Sequence, residues 1–399
     1  MSAKSHGRAG CIVALLAIVA GLSPRAALAQ SSVSDVLSFL VTNQAVVTGD
    51  FIKDQQAAAA TRDTIFRFLQ VELATLPISS STGGFIYRFN PSLGTMERVS
   101  DGFGPFYLER ALTSGHGQTS IGFSYRHSRF DTLDGRDLRD GTLVTTANRL
   151  ANESEPFDVE RLTLRLDAST FTVFGNYGIT DRLDIGAAIP IVDLNLSGER
   201  LNVYRGAVFQ QAVGSASVTG LADIAVRAKY SFVQTRDAGI AANVELRLPT
   251  GAEEQFIGAG TAGFRASAIA SFEGRRVGSH FRAGIATGGV SDEIDFGGAV
   301  VVAASSRFNV VGEIFGRRLS ELTRIAEVTA PHPQLPNVAT TRLLPESVGA
   351  NTMLALAGFK WNFAETWLLN ANVLFPLTKN GLTGRPTPSI AIDYTFDRK

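Results

Sequence analysis

From Gly84 to the C-terminus the chain runs in short segments where apolar and polar residues alternate. Period-two alternation is the mark of strands with one face in an apolar medium and the other in a polar one. In 220–233, Ile224, Val226, Ala228, Tyr230 and Phe232 share a face opposite Asp223, Arg227, Lys229 and Ser231. The next strand sets Ile240, Val244, Leu246 and Leu248 against Asn243, Glu245 and Arg247, and 366–376 sets Trp367, Leu369, Val373 and Phe375 against Asn370 and Asn372. The final segment, 389–396, places Ile390, Ile392, Tyr394 and Phe396 opposite Ala391, Asp393 and Thr395.

The spacing predicts strands at 84–89, 103–112, 118–130, 160–178, 182–196, 220–233, 239–249, 262–273, 278–287, 296–304, 307–317, 352–364, 366–376 and 388–396. Short connections (113–117, 179–181, 234–238, 274–277, 305–306, 365) alternate with long ones (90–102, 131–159, 197–219, 250–261, 288–295, 318–351, 377–387). That rhythm is expected of an all-β, transmembrane, antiparallel up-and-down β-barrel, with short turns in the periplasm and long loops outside the cell. The count is about fourteen strands; twelve, with a folded hairpin near 84–100, is the alternative. A soluble all-β sandwich also alternates, but it predicts neither the loop rhythm nor an export signal. Two strands change phase. Leu162, Leu164 and Leu166 give way to Phe171 and Val173, and Ile185 and Ile189 give way to Leu194 and Leu196, which predicts bulges near Ala168 and Ile191.

The N-terminal part reads differently. Lys4 and Arg8 precede the apolar run 11–22 and the small-residue site Ala27-Leu28-Ala29, so residues 1–29 read as a signal peptide. Residues 30–82 form a helical segment, with Val33, Val36, Leu37, Leu40 and Val41 on one helical face behind a Ser32/Asp35 cap. Ile65, Phe66, Leu69, Leu73 and Leu76 line a second helix that stops at Pro77. These helices belong at the periplasmic rim or inside the lumen as a plug, and 83–399 is the barrel.

Charge and cysteine content narrow the function. The whole chain balances 37 basic against 37 acidic residues, and loss of Lys4, Arg8 and Arg25 with the signal leaves it slightly acidic. No nucleic-acid surface is implied. Cys11 leaves with the signal, which removes disulfides and thiolate chemistry from the mature protein.

The stretches 219–232 (TGLADIAVRAKYSF) and 243–260 (NVELRLPTGAEEQFIGAG) resemble the outer-membrane family named for a phenol-degradation (MetA) pathway. The resemblance rests on Gly220 and Asp223 at a strand start and on Leu248, Pro249, Thr250 and Gly251 in a loop; 103–115 and 121–135 share it. It implies a barrel akin to fatty-acid and aromatic-hydrocarbon channels, with no catalytic residues and no cofactor. Asp397, Arg398 and Lys399 depart from the family by following the terminal aromatic Phe396.

Competing chemistry finds little purchase. Outer-membrane lipases pair a His with a Ser two residues on, whereas Gln118, Arg129, Arg282 and Gln334 follow His116, His127, His280 and His332. The aspartates 131, 134, 137 and 140 lack the spacing of a calcium loop, so no metal site is expected. The inward-facing candidates are Arg161, Arg165, Asp167, Asp184, Asp223, Arg227, Lys229, Asn243, Glu245, Arg247 and Arg265. They serve as lumen lining or as staples between strands, with Glu245 opposite Arg227 or Lys229. The expected function is passive uptake of small, hydrophobic or aromatic molecules across the outer membrane, with a scaffold or adhesin acting through external loops as the alternative. Expected partners are outer-membrane lipid, lipopolysaccharide, the barrel-assembly machinery and the solute.

Overall fold

The computed structural model describes residues 32–41, 62–72, 87–90, 95–98 and 102–396 apart from 236, 323, 333 and 347. The signal peptide therefore lies outside the described residues. Twelve antiparallel strands close the wall: β3 (Thr119–Leu133), β6 (Asp158–Gly178), β7 (Leu183–Tyr204), β9 (Ile224–Gln234), β10 (Ala238–Leu248), β11 (Gly263–Glu273), β12 (Val277–Gly288), β13 (Glu293–Ser305), β14 (Phe308–Leu319), β17 (Ala350–Ala364), β18 (Trp367–Pro376) and β20 (Thr387–Phe396). Pairing of β20 with β3 seals the ring.

The outer face is apolar. Ile121, Phe123, Val226, Val244, Phe281, Phe296, Val310 and Ile390 are all exposed there, an arrangement that only hydrocarbon makes favourable. At the short-turn end an aromatic girdle forms, with Trp367 and Tyr394 at 4.8 Å between ring centroids and Tyr394 at the same distance from Phe396. Such a barrel belongs in the bacterial outer membrane, short turns inward.

Two predicted strands are absent from the wall. Of 84–89 only the end falls in β1 (Tyr87–Asn90), which makes a separate hairpin with β2 (Thr95–Arg98), while 84–86 lie outside the described residues. Segment 103–112 forms no strand, and 113–117 is its exit into β3 rather than a turn. The count is twelve rather than fourteen. The other strands stand where the alternation puts them.

The wall continues above the membrane. β7 runs on with β8 (Ala207–Leu221), and β5 (Leu143–Leu150) joins β6 to β16 (Val338–Glu346), which pairs with β15 (Arg324–Pro331). Short strands β4 (Arg136–Asp137) and β19 (Leu382–Gly384) pair with β3. No bulge interrupts β6 or the facing part of β7: the register is continuous from Asp158↔Tyr204 to Gly178↔Asp184. Leu162, Leu164, Leu166, Leu194 and Leu196 point inward and are buried. The apolar face inverts because the surroundings invert: above the bilayer the outside is water and the inside is apolar.

What fills the inside there is helical. α1 (Val33–Val41) is capped as expected, Ser32 Oγ accepting from Asp35 N at 2.9 Å and Asp35 Oδ2 accepting from Ser32 N at 3.1 Å. α1 and α2 (62–72) bury Val36, Leu37, Leu40, Ile65, Phe68 and Leu69 among Leu164, Leu166, Leu194 and Leu196. Both helices sit toward the long-loop end against the inward leucines of β6 and β7, and together make the plug of the upper wall.

Candidate functional site: the plugged lumen

In the half of the barrel nearer the periplasm, residues 102–115 cross the lumen as an extended strap. Its apolar side chains Phe106, Tyr107 and Leu108 pack on Ala299, Val301, Val311, Phe315, Leu356 and Leu374, inward positions of β13, β14, β17 and β18. Gly297 makes room, since a Cβ there would stand 3.0 Å from Leu108 Cδ2.

A strap without strand partners leaves its amides and carbonyls to be satisfied by wall side chains. Glu313 accepts from the amides of Phe106, Tyr107 and Leu108, and Lys360 Nζ donates to Pro105 O at 2.9 Å. Lys229 Nζ donates to the carbonyls of Arg110 (3.1 Å) and Leu112 (2.9 Å), and Ser114 N donates to Asp184 Oδ2 at 2.9 Å. The strap answers with Glu109, whose carboxylate meets Arg227 Nη1 at 3.1 Å and Lys229 Nζ at 3.4 Å. Asp184, Arg227 and Lys229 thus act as strap anchors. Sequence reasoning missed Glu109, Glu313 and Lys360 because the strap itself was read as a strand.

Ser271 Oγ accepts from Ala111 N at 2.8 Å and lies 2.9 Å from His280 Nδ1. This cross-strand His/Ser contact is buried under the strap and holds its backbone.

Nearer the cell exterior the inward charges pair with one another. Arg247 Nε contacts Glu245 Oε1 at 2.9 Å, Arg265 bridges Glu293 (2.9 Å) and Asp295, and Arg282 reaches Asp295 at 2.9 Å. Glu245 does stand opposite Arg227, and Asn243 opposite Lys229, but the ion pair goes to Arg247. Arg317 carries the band to the plug through Glu72 at 3.3 Å. Burial pushes the Glu72 carboxyl up, against the pull of Arg317 and Arg126.

Three candidates do not face the lumen. Arg161, Arg165 and Asp167 lie on the outer face of β6, opposite the buried leucines, Arg161 and Arg165 exposed and Asp167 half-buried. Their error is that of the bulge that does not exist.

Asp223 has a distinct task. It sits at the break between β8 and β9 and accepts from Gly251 N at 3.0 Å and Ala259 N at 2.8 Å. Thr250 Oγ1 donates to Ala222 O at 2.8 Å and accepts from Ile224 N at 3.0 Å. Gly251 allows the loop to double back, since a Cβ there would collide with the Ile257 carbonyl. The Gly-x-x-Asp and Leu-Pro-Thr-Gly elements are therefore two halves of one clasp. It presents Phe256 to Phe66 of α2, Gln255 Oε1 to Val33 N of α1 (3.2 Å) and Gly258 O to Gln70 Nε2 (3.2 Å). Loop 250–261 thus folds inward and ties the plug to the wall.

One cleft of the lumen, of about 410 Å³ including space open to solvent, lies between the wall and loop 250–261, lined by Asp223, Glu245, Arg247, Ala259, Arg265 and Glu293. Another, of about 550 Å³ on the same measure, reaches Glu72 of α2 and mixes Phe130, Leu354, Leu374 and Leu382 with Arg126, Arg385 and threonine hydroxyls.

Three of the four loop aspartates serve the backbone: Asp134 accepts from Ile325 N and Gly381 N, each at 2.8 Å, Asp137 from Arg139 N and Asp140 N, and Asp140 from Thr142 N. The Thr142 hydroxyl and amide hold the Asp140 carboxyl below its usual range. Asp131 instead gathers Arg129, Arg139 and Arg385.

No family model and no curated protein matches the chain, so the phenol-degradation family remains a resemblance carried by the clasp residues. Among solved structures, an outer-membrane channel from Pseudomonas putida F1 aligns at 12% identity over 72% of this chain and 98% of that one, with a TM-score of 0.46. The KdgM porin aligns at 6% identity (69% and 99% of the two chains, TM-score 0.38). The CymD monoaromatic hydrocarbon channel aligns at 9% (71% and 90%, TM-score 0.30). At these levels the functional argument stays with the geometry above.

Proposed function

We propose that the protein is an outer-membrane channel for passive uptake of small molecules, narrowed by its own strap and helical plug. The observation that carries this reading is the presence of solvent-connected clefts along the charged inner wall, one beside loop 250–261 and one reaching Glu72 of a plug held by an ion pair to Arg317. A barrel serving only as an anchor has no need of a polar interior around a separable plug. The second cleft, which sets Phe130, Leu354, Leu374 and Leu382 beside Arg126, Arg385 and threonine hydroxyls, suits a small aromatic solute carrying polar groups, which supports aromatic cargo. No catalytic step is part of this reading. Export through the 1–29 signal and insertion by the barrel-assembly machinery belong to it, and N-terminal sequencing of membrane-fraction protein should read Gln-Ser-Ser.

The test is swelling of proteoliposomes in isosmotic solutes. Small monoaromatic solutes should enter faster than through protein-free vesicles, and disaccharides should not. Equal rates for every solute, with and without protein, would favour the scaffold reading, to which the six-stranded crown β8-β7-β6-β5-β16-β15 is suited.

A further inference from the structure

Around the lower wall, the outer faces of β10 to β13 carry apolar or small uncharged residues up to Leu246, Phe264, Ile285 and Ile294. The opposite side ends differently. On β3 the outward series Ile121, Phe123, Tyr125 continues into His127 and Arg129; on β6, Phe171 is followed upward by Ser169, Asp167 and Arg165. Just before β20, Arg385 lies at the wall's upper edge: its amide donates to Arg129 O at 3.0 Å, its exposed side chain reaches Asp131, and its base borders the cleft that holds Arg126. Arg129 lies four residues beyond Tyr125, about 13 Å along the strand. Arg129 stands ten residues above Thr119, which pairs with Phe396 at the short-turn girdle; at about 3.3 Å per residue and a tilt of about 40° that is about 25 Å, the height of the apolar band, so lipid headgroups begin there.

At this height Asp131 draws three guanidiniums together, Arg129, Arg139 and Arg385, each through Nε. Arg139 spends its other edge on Asp167 (2.7 Å) and Leu166 O (3.2 Å). Arg129 and Arg385 are 44% and 63% exposed and direct no η-nitrogen to any described acceptor. Exposed Arg165 stands beside them on β6. The patch therefore holds four cations against two carboxylates, Asp131 and Asp167, and two exposed guanidiniums, those of Arg129 and Arg385, share the Asp131 carboxylate. Paired planar donors on a fixed spacing fit phosphate oxygens better than they fit water.

We infer that Arg129 and Arg385, positioned by Asp131 and assisted by Arg165, bind a phosphate of the outer-leaflet glycolipid, the phosphorylated diglucosamine of lipid A. The site marks one side of the barrel for tightly held lipid and leaves the β10–β13 side free. It depends on the outer-membrane placement and not on conduction through the lumen, so a barrel that passes no solute would leave it standing.

The experiment is titration of the purified full-length protein in detergent with bisphosphorylated lipid A, read by native mass spectrometry. R129A/R385A should bind about tenfold more weakly or worse. R318A, which removes an exposed arginine from β14, should bind as wild type. Lipid A stripped of its phosphates should bind wild type no better than intact lipid A binds R129A/R385A. A heat-modifiable band confirms that each variant is folded; should R129A/R385A fail to fold, R129K/R385K decides, and weaker binding is expected from loss of the paired donors. Equal binding by wild type and the folded variant, or indifference to the phosphates, overturns the inference. So does inorganic phosphate that displaces lipid A completely at equimolar concentration, which would assign the patch to the free ion.

Discussion

Asp223 shows how much one carboxylate can organise. It fixes two backbone amides of loop 250–261, and that loop touches both plug helices. Replacing it with Ala strands those amides, at a cost of about 1 to 3 kcal/mol. The expected outcome for Asp223→Ala is a folded, heat-modifiable barrel in which loop 250–261 is cut by added protease while the wall resists. Protection equal to wild type would show that Thr250 and Gly251 hold the clasp unaided. On the outer face, Val373 stands among Ala357 and Pro388 and meets lipid. Val373→Arg should lower unfolding stability in vesicles by about 2 to 4 kcal/mol if it lies at the midplane, and an unchanged urea midpoint would contradict the outward assignment.

At the scale of elements, the alternation revealed all twelve strands that span the membrane, because the two sides of a membrane barrel differ strongly in polarity and period two serves both, whereas the crown strands β5, β8, β15 and β16 were read as loops. It misled where those conditions fail. Segment 103–112 is rich in strand-favouring apolar residues because all of it is buried in the lumen, with Phe106, Tyr107 and Leu108 against Val301 and Phe315 and its backbone bonded by Lys229 and Glu313, so the strap mimics a buried strand. In β6 and β7 the backbone never slips; the plug reverses which side is apolar, and no local signal separates that from a bulge. Hence Arg161, Arg165 and Asp167 are lost from the lumen list, while Asp184, Arg227, Lys229, Asn243, Glu245, Arg247 and Arg265 point inward and Asp223 turns to the clasp. The strap's partners on the wall were illegible, since they join residues between 70 and 255 positions apart. Glu109→Ala should release the strap: it leaves Arg227 and Lys229 buried without that carboxylate, typically costing about 3 to 5 kcal/mol. A cysteine placed at Ala111 in that background should react with a small thiol reagent in detergent, and failure to react would mean the apolar contacts of Phe106 and Leu108 suffice.

For the whole molecule, sidedness comes first. A cysteine at exposed Ser215 in the crown should label on intact cells with an impermeant reagent, and one at Asp237 in a short turn should not; the reverse would invert the barrel. The central claim, a conducting barrel narrowed by a separable plug, is tested most directly by single-channel conductance in planar bilayers. Wild type should be compared with Leu37→Asp/Leu69→Asp, which sets a charge in the apolar contact of each helix. The account predicts small or intermittent steps for wild type and larger, sustained steps for the folded variant. Silence from both, with heat-modifiability intact, would contradict it and leave the barrel as a scaffold for its crown.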